Sequence, residues 1–375
     1  MHRTRLLATF ACCLALFAGT VNAQLADTAN KRITYTRWVQ APEGGTSSFD
    51  LYRIDSNATN RRLLMPSVVG VYRWEPRWSP SGTYVVFSQV LDSNFDVAAI
   101  RIVDLYGHNA RQLTSGTGLF DWPSWSPDGS WIAYRSLTSV GSCITVVRPD
   151  GTQRRNVSCV SGVEDMQPRA AEWSRDGKHL YTAIGSNPLP EEFRFLQPVC
   201  IDVASGALTP LAPAMQVDGN DYSVLFSPDR KKGIVQRLGA IGGGALIWNF
   251  ATNSTGPFIN GYSAVWSPDG KSIAFARPVV SGLGTERDTH LPFTMNVDGT
   301  NERQLVTTIL PGLYYAPVDW SADGKSVLAN RQRYEETSPG VYVPTLEMRA
   351  VVVETRAITN LGFGRADWGA WHRKH

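Results

Sequence analysis

The chain has 375 residues, 43% of them hydrophobic, with 33 Gly, 22 Pro and 12 Trp and a formal net charge of +3. That near-balance of charge gives no reason to invoke nucleic acid or an anionic membrane surface as a partner. Length alone would allow two domains, but an internal repeat uses the whole chain after its first segment.

That first segment reads as an export signal. MHRTR is a basic start, LLATFACCLALFA an apolar run of 13 residues, and VNA precedes Gln24, with small residues at Val21 and Ala23 where a signal peptidase would cut. Residues 1–23 are therefore expected to be removed, leaving residues 24–375 as a single periplasmic or secreted domain. The apolar run is too short for a membrane span and no other run is longer, so no transmembrane span is expected. Without Arg3 and Arg5 the mature chain has 34 basic and 33 acidic residues.

Strand signals follow in order. RITYTRW (Arg32–Trp38), FDLYRID (Phe49–Asp55) and RRLL (Arg61–Leu64) alternate with period two. Six copies of one phrase come next: PRWSPSGTYVVFSQ from Pro76, PSWSPDGSWIAYRS from Pro123, AEWSRDGKHLYTAI from Ala171, VLFSPDRKKGIVQR from Val224, AVWSPDGKSIAFAR from Ala264 and VDWSADGKSVLANR from Val318. Their anchors are Trp78, Trp125, Trp173, Phe226, Trp266 and Trp320, spaced 47, 48, 53, 40 and 54 residues apart, and ADWGAW adds Trp368 another 48 residues on. Ser-Pro-Asp-Gly is a tight turn by composition, with Pro fixing φ and Gly free to turn left-handed. Each copy is then strand, turn, strand, followed by a third strand, a polar turn such as VDGT (Val297–Thr300), and a short fourth strand such as RQLT (Arg111–Thr114). Four strands per period of this length mark a β-propeller blade. ADWGAW lacks the strands that should follow it, and Arg32–Leu64 lacks the strand that should precede it. Sharing one blade between the two termini gives an all-β, seven-bladed ring with no open sheet edge; six or eight blades are the alternatives. The fourth copy is the weakest, because Phe226 replaces Trp and Arg230 replaces the turn Gly.

WSPDG followed by a strand, DG and R-x-L resembles the WD40-like repeat of the TolB-like β-propellers over essentially the whole mature chain. That resemblance implies the propeller fold. TolB has a separate α/β domain ahead of its propeller and six blades, and both features differ from this chain.

Candidate chemistry is sparse. No G-x-S-x-G elbow, H-E-x-x-H or P-loop occurs. The turn carboxylates Asp128, Asp176, Asp229, Asp269 and Asp323 read as turn chemistry rather than cation ligands, and the repeat aromatics as packing between blades. His108, His179, His290, His372 and His375 are scattered, and His290 reads as a loop residue. Some propellers with this repeat resemble oligogalacturonate lyases, which hold a metal through a His cluster; the scatter gives that little support. Glu172, Asp319 and Asp367 precede their Trp and could approach a channel. No cofactor or metal is expected.

The expected activity is binding of a protein or cell-envelope component. A polysaccharide-active enzyme similar to oligogalacturonate lyase, or a glycan-binding propeller, is the alternative. Short turns should share one face of the disk. Three long segments, Gly185–Gln197, Pro278–Leu291 and Gln332–Pro344, should form irregular loops on the other. Loop residues on rigid scaffolds tend to carry function, and aromatic and Arg side chains tend to anchor partners. The binding-face candidates are Trp38, Trp74, Trp122, Arg194, Arg287, Tyr314, Tyr315 and Tyr334, accompanied by Glu191, Glu192 and Glu335. Cys143 and Cys159 flank the hairpin that turns at Asp150–Gly151, so a disulfide between them is a candidate in an oxidising compartment. Cys200 is left over and expected to be a buried free thiol.

Overall fold

The computed structural model describes residues 32–39, 48–90, 96–139, 141–161, 164–166, 171–186, 193–218, 222–237, 244–280, 288–338, 341–362 and 366–371. The proposed signal segment lies outside these residues. Every regular element among them is a strand, and none of them is a helix long and apolar enough to cross a membrane.

Strands β1 (Arg32–Val39), β2 (Ser48–Asp55) and β3 (Arg62–Met65) form an antiparallel meander. The first full copy of the repeat supplies β4 (Arg73–Trp78), β5 (Tyr84–Val90), β6 (Ala98–Asp104) and β7 (Arg111–Gln112). The second supplies β8 (Leu119–Trp125), β9 (Ile132–Thr138), β10 (Gly141–Val147) and β11 (Arg155–Val160). In the third, β12 (Glu164–Met166) and β13 (Glu172–Trp173) both pair with β14 (His179–Ser186). Its third strand, β15 (Phe193–Asp202), carries β16 (Leu208–Pro210) and β17 (Met215–Asp218). The fourth copy gives β18 (Tyr222–Phe226), β19 (Lys232–Arg237), β20 (Ala245–Asn249) and β21 (Ser254–Ile259). The fifth gives β22 (Tyr262–Trp266), β23 (Ser272–Val280), β24 (Thr289–Asn296) and β25 (Arg303–Gln304). The sixth gives β26 (Leu313–Trp320), β27 (Ser326–Ser338), β28 (Val341–Val352) and β29 (Ile358–Asn360). Strand β30 (Ala366–Trp371) pairs antiparallel with β1, so that sheet runs β3-β2-β1-β30.

Of the three segments expected to be irregular loops, 332–344 lies on β27 and β28 wherever it is described, while 185–197 and 278–291 are strand at both ends, with 187–192 and 281–287 between them outside the described residues. Tyr314 and Tyr315 also stand on a strand, β26. The prolines explain the difference. Pro278 adjoins a register shift in β23 and Pro317 adjoins one in β26, and bulges are where a strand tolerates a residue without an N–H.

Both faces of the strands are buried. Ile273, Ala274, Phe275 and Ala276 are successive residues of β23 with no exposed surface, alternating bulky and small as layered sheets require. The repeat aromatics fill the space between sheets, and their indoles also join them. The Trp125 Nε1–H donates to the Arg77 carbonyl at 3.2 Å, Trp173 to Ser124 at 3.3 Å, Trp266 to Leu225 at 2.8 Å and Trp320 to Val265 at 3.2 Å. Each acceptor immediately precedes the repeat aromatic of the preceding copy. Phe226 has no indole donor. At that junction Arg230, in the left-handed region at φ 63°, donates to the Trp173 carbonyl at 3.2 Å and pairs with Glu172.

The turn carboxylates hold the turns. In the second copy Ser126 Oγ donates to Asp128 Oδ1 at 2.6 Å and accepts from the Trp131 N–H at 2.9 Å, while Asp128 Oδ1 accepts from the Ser130 N–H at 3.0 Å. Gly129 closes that turn at φ 70°.

Cys143 lies directly opposite Cys159 in the β10–β11 ladder, with Cα atoms 4.0 Å apart, and a disulfide joins them. Cys200 is half-buried rather than fully buried, and burial pushes its thiol pKa up. A chain that begins after residue 23, denatured without reductant, should titrate one thiol, rising to three after reduction. Reduction should cost about 2–4 kcal/mol of stability. Three thiols before reduction would remove the bridge from the native protein.

Candidate binding face and channel

The opening strand of each copy contributes a short run of residues ahead of its repeat aromatic. Three of these strands carry a non-glycine residue with positive φ three residues before the aromatic: Glu75 (φ 55°), Trp122 (φ 55°) and Ser263 (φ 51°). The ladder register shifts at the same places, so each is a bulge. The bulge re-aims the preceding side chains and frees a backbone N–H. In the first copy, buried Glu75 exploits this across the junction: its Oε2 accepts from the Trp122 N–H at 2.6 Å and from Ser88 Oγ at 2.8 Å. Beside it, Asp121 is held by Arg135 through two hydrogen bonds of 2.8 and 2.6 Å, with both residues buried.

Burial, with the charge of Asp121 second, pushes the Glu75 carboxyl up to about 8; the two hydrogen bonds and Arg77 pull the other way. A carboxyl whose folded pKa exceeds its ordinary 4.5 binds its proton more tightly when folded. Its contribution is therefore complete below about pH 4.5 and is lost as pH rises through about 8. Glu75→Gln keeps an acceptor for Trp122. It should match the parent's melting temperature near pH 4 and exceed it at pH 8.5. Parallel melting curves at both pH values would show that Glu75 is not the titrating group.

Arg77 immediately precedes Trp78, the position that Glu172 and Asp319 occupy in their copies. It is buried, and burial lowers its pKa to about 10 against the opposing fields of Glu75, Asp319 and Glu172. A guanidinium thus stands among the carboxylates that the sequence placed near a channel. Glu172 is paired with Arg230, and Asp319 Oδ1 accepts from the Trp320 N–H at 2.7 Å. Asp367 has no described side chain. Among the described residues, no group of three His, Cys, Asp or Glu is arranged to hold a metal ion.

The binding-face candidates divide. Trp74 on β4 and Tyr334 on β27 are half-buried. Trp122 is only 8% exposed, and Tyr314 and Tyr315 are 8% and 4% exposed. The expectation that Tyr314 and Tyr315 are loop anchors, replaceable by alanine without loss of stability, is therefore corrected: both are core residues of β26. Trp38 pairs with Phe49 at the end of β1 and Arg194 with Val217 on β15, but their side chains lie outside the described residues. Arg287, Glu191, Glu192 and the side chain of Glu335 also lie outside them.

Two of the candidates do come together, with Tyr262, which the sequence did not single out, and His290, which it placed in a loop. His290 lies on β24 rather than in a loop and is 3% exposed. It stacks on Tyr314 at 4.4 Å and meets Tyr262 edge-on at 5.5 Å, and Tyr334 meets Tyr314 edge-on at 6.0 Å. Among the described residues neither His290 ring nitrogen has a hydrogen-bond partner, and burial lowers its pKa to about 4.

No family model matches the chain. Among solved structures it is similar to the β-propeller domain of the Trilobed protease from Pyrococcus furiosus, at 10% identity and a TM-score of 0.57, covering 92% of this chain and 99% of that one. The fold is a β-propeller. Oligogalacturonate lyase from Vibrio parahaemolyticus is also similar, at 12% identity and a TM-score of 0.53, over 88% of this chain and 86% of that one. TolB from Acinetobacter baumannii matches at 15% identity with a TM-score of 0.48, over 92% and 83%. By sequence, the chain is 26% identical to "Uncharacterized peptidase YuxL" of Bacillus subtilis over 55% of its own length. It is 28% identical to "Dipeptidyl-peptidase 5" of Porphyromonas endodontalis, again over 55% of its length. The matched region spans only 30% and 29% of those two relatives.

Proposed function

We propose that the chain is an exported seven-bladed propeller, completed by β30 on β1, that binds a protein or cell-envelope partner on its hairpin face. The observation that supports this reading is the contrast between faces. The Ser-Pro-Asp-Gly turns are short and internally hydrogen-bonded, whereas β14–β15, β23–β24 and β27–β28 are extended arms of variable length and composition. Arg194, Arg287, Trp38, Trp74 and Tyr334 are the proposed contact residues, with Tyr314 and Tyr315 as the packing beneath Tyr334. The export reading rests on the N-terminal segment and puts the partner in the periplasm or outside the cell.

Photo-crosslinking tests the face. A crosslinking amino acid at Arg194, Arg287 or Tyr334 should yield a discrete adduct in envelope fractions, and one at Lys271 or Lys325 should not trap that same partner. If only the turn-face positions capture it, the docking face is inverted.

A second reading is action on a polysaccharide, favoured by one juxtaposition: Glu75, whose carboxyl burial pushes up, lies beside Asp121, which is ion-paired with Arg135, and two carboxyl groups in unlike environments are what an acid–base pair needs. The matched peptidases give less support for their own chemistry, since this sequence contains no G-x-S-x-G.

A further inference from the structure

Three guanidinium groups come together on one face of the sheet that runs β3-β2-β1-β30. Arg53 on β2 lies directly opposite Arg62 on β3 and directly opposite Thr34 on β1. Arg32 is two residues before Thr34 and opposite Asp55, so Arg32, Arg53, Arg62 and Asp55 share that face. Each arginine reaches the neighbouring copy of the repeat. Arg32 Nη1 donates to the Gly82 carbonyl at 3.4 Å, Arg53 Nε donates to the Leu105 carbonyl at 2.9 Å, and the Arg62 guanidinium lies 5.3 Å from the centre of the Tyr106 ring. The Leu105 N–H in turn donates to the Thr83 carbonyl at 2.9 Å, which ties Gly82–Thr83 to Leu105–Tyr106. All three side chains therefore converge beside the turn of the first copy.

Like charges directly opposite one another on a ladder are destabilising. Among the described residues no carboxylate forms an ion pair with any of the three, and the Arg53 Nη groups and the whole Arg62 guanidinium donate to no group. Burial lowers the Arg53 pKa, and of the charges around it the repulsion of Arg32 comes ahead of the attraction of Asp55, with Arg62 adding to the repulsion. The first copy also lacks the turn acid. Where other copies have Asp128, Asp176, Asp229, Asp269 and Asp323, this turn has Ser81, whose hydroxyl is 3.0 Å from that of Ser79 and 2.7 Å from that of Thr83. Two acids stand nearby. Asp55 is 3% exposed and its Oδ2 accepts from the Asn60 amide at 2.6 Å, and Asp104 accepts the Tyr106 and His108 N–H groups at 2.9 and 2.8 Å. With both counted at full charge, the three guanidinium groups still leave the region positive.

We propose that Arg32, Arg53 and Arg62 form a binding site for a phosphomonoester group. Forked donors from three adjacent strands suit a tetrahedral oxyanion, because each guanidinium can meet a separate oxygen. A phosphate dianion also brings more charge to unpaired guanidinium groups than a carboxylate does. Leu63 and Tyr106, 40% and 52% exposed, flank the arginines, so the phosphoryl group can be carried by a lipid as well as by a soluble molecule.

Inorganic phosphate is the probe for the soluble group, and vesicles of phosphatidylcholine with phosphatidic acid are the probe for the lipid-borne one. At about pH 8, where phosphate is a dianion, and at matched ionic strength, millimolar phosphate should raise the melting temperature and give binding heat in calorimetry, and acetate should do neither. Arg62→Gln should weaken phosphate binding at least tenfold while raising the melting temperature slightly in the absence of phosphate, because it removes a like-charge pair. Ser81→Asp supplies the acid that other turns carry and should also weaken binding at least tenfold, with the melting temperature unchanged. Arg303→Gln, which removes an exposed fourth-strand arginine elsewhere, should change binding less than twofold. Co-sedimentation with the phosphatidic acid vesicles but not with phosphatidylcholine alone would assign the group to a lipid, and phosphate binding without co-sedimentation would assign it to a soluble ligand. Absence of both phosphate binding at millimolar concentration and vesicle capture, or equal losses in Arg62→Gln and Arg303→Gln, would overturn the proposal.

Discussion

A chain lacking residues 364–375 should fail to show the parent's cooperative melting transition and should be cut rapidly by protease at temperatures where the parent resists. The reason lies in β1. Its residues Ile33, Thr34, Tyr35 and Thr36 have no exposed surface, and β30 covers one edge of that strand from Ile33 to Arg37. Strand β30 also packs against β4, β26, β27 and β28, so its removal uncovers neighbours on both sides. Loss of a single large core side chain costs roughly 3–5 kcal/mol, and deletion removes a whole strand with its ladder to β1. A typical domain has only about 5–15 kcal/mol of net stability. The newly bare edge of β1 would also template association between chains. Circular dichroism melts and limited proteolysis of the two proteins make the comparison, and a circular permutant that joins β30 directly to β1 should restore the transition. A truncated protein with an unchanged melting temperature would show that β30 is not needed to complete the ring.

The strands, the turns and the layered core were legible because each has a local signature. Alternating residues such as Ile273 to Ala276 can bury both faces in only one way, and Ser-Pro-Asp-Gly determines its own hydrogen bonds. The pairing of ADWGAW with RITYTRW was legible too, because each fragment lacked what the other had. The upper ends of the strands were harder to read. Pro278, Pro317 and Pro344 look like strand breakers in sequence, yet each falls within a strand, and at the first two the ladder slips nearby. Reading them as loop residues put Tyr314, Tyr315 and His290 in solvent, whereas the longer strands bury all three. The linkage of Glu75 to Trp122 had no local signal. It joins residues 47 positions apart and depends on a bulge that frees an N–H only after the blades have packed.

Trp266 is where the repeat's contribution to stability can be separated into parts. Its side chain is 4% exposed, and its indole N–H donates to the Leu225 carbonyl at 2.8 Å. Trp266→Ala should cost roughly 3–5 kcal/mol, because the cavity opens between two sheets that cannot collapse independently. Trp266→Phe keeps most of the apolar contact and leaves the Leu225 carbonyl without its donor, so the hydrogen bond should account for about 1 kcal/mol of the loss. The protein already contains the phenylalanine version at Phe226, packed against Phe250 at 5.6 Å and Tyr181 at 6.1 Å. There Arg230 reaches back to the Trp173 carbonyl and pairs with Glu172, taking over the junction that an indole would have joined. Arg230→Ala should therefore cost about 2 kcal/mol, more than an ordinary turn substitution, because it strips a half-buried carboxylate of its partner as well as the carbonyl of its donor. A turn substitution one position further on, at a junction that has its tryptophan, Lys271→Ala beside Gly270, should cost less than about 0.5 kcal/mol. Urea denaturation of the four variants gives all the differences on one scale. Should Arg230→Ala prove as mild as Lys271→Ala, the guanidinium does not substitute for the missing indole, and the fourth blade is held by its apolar contacts alone.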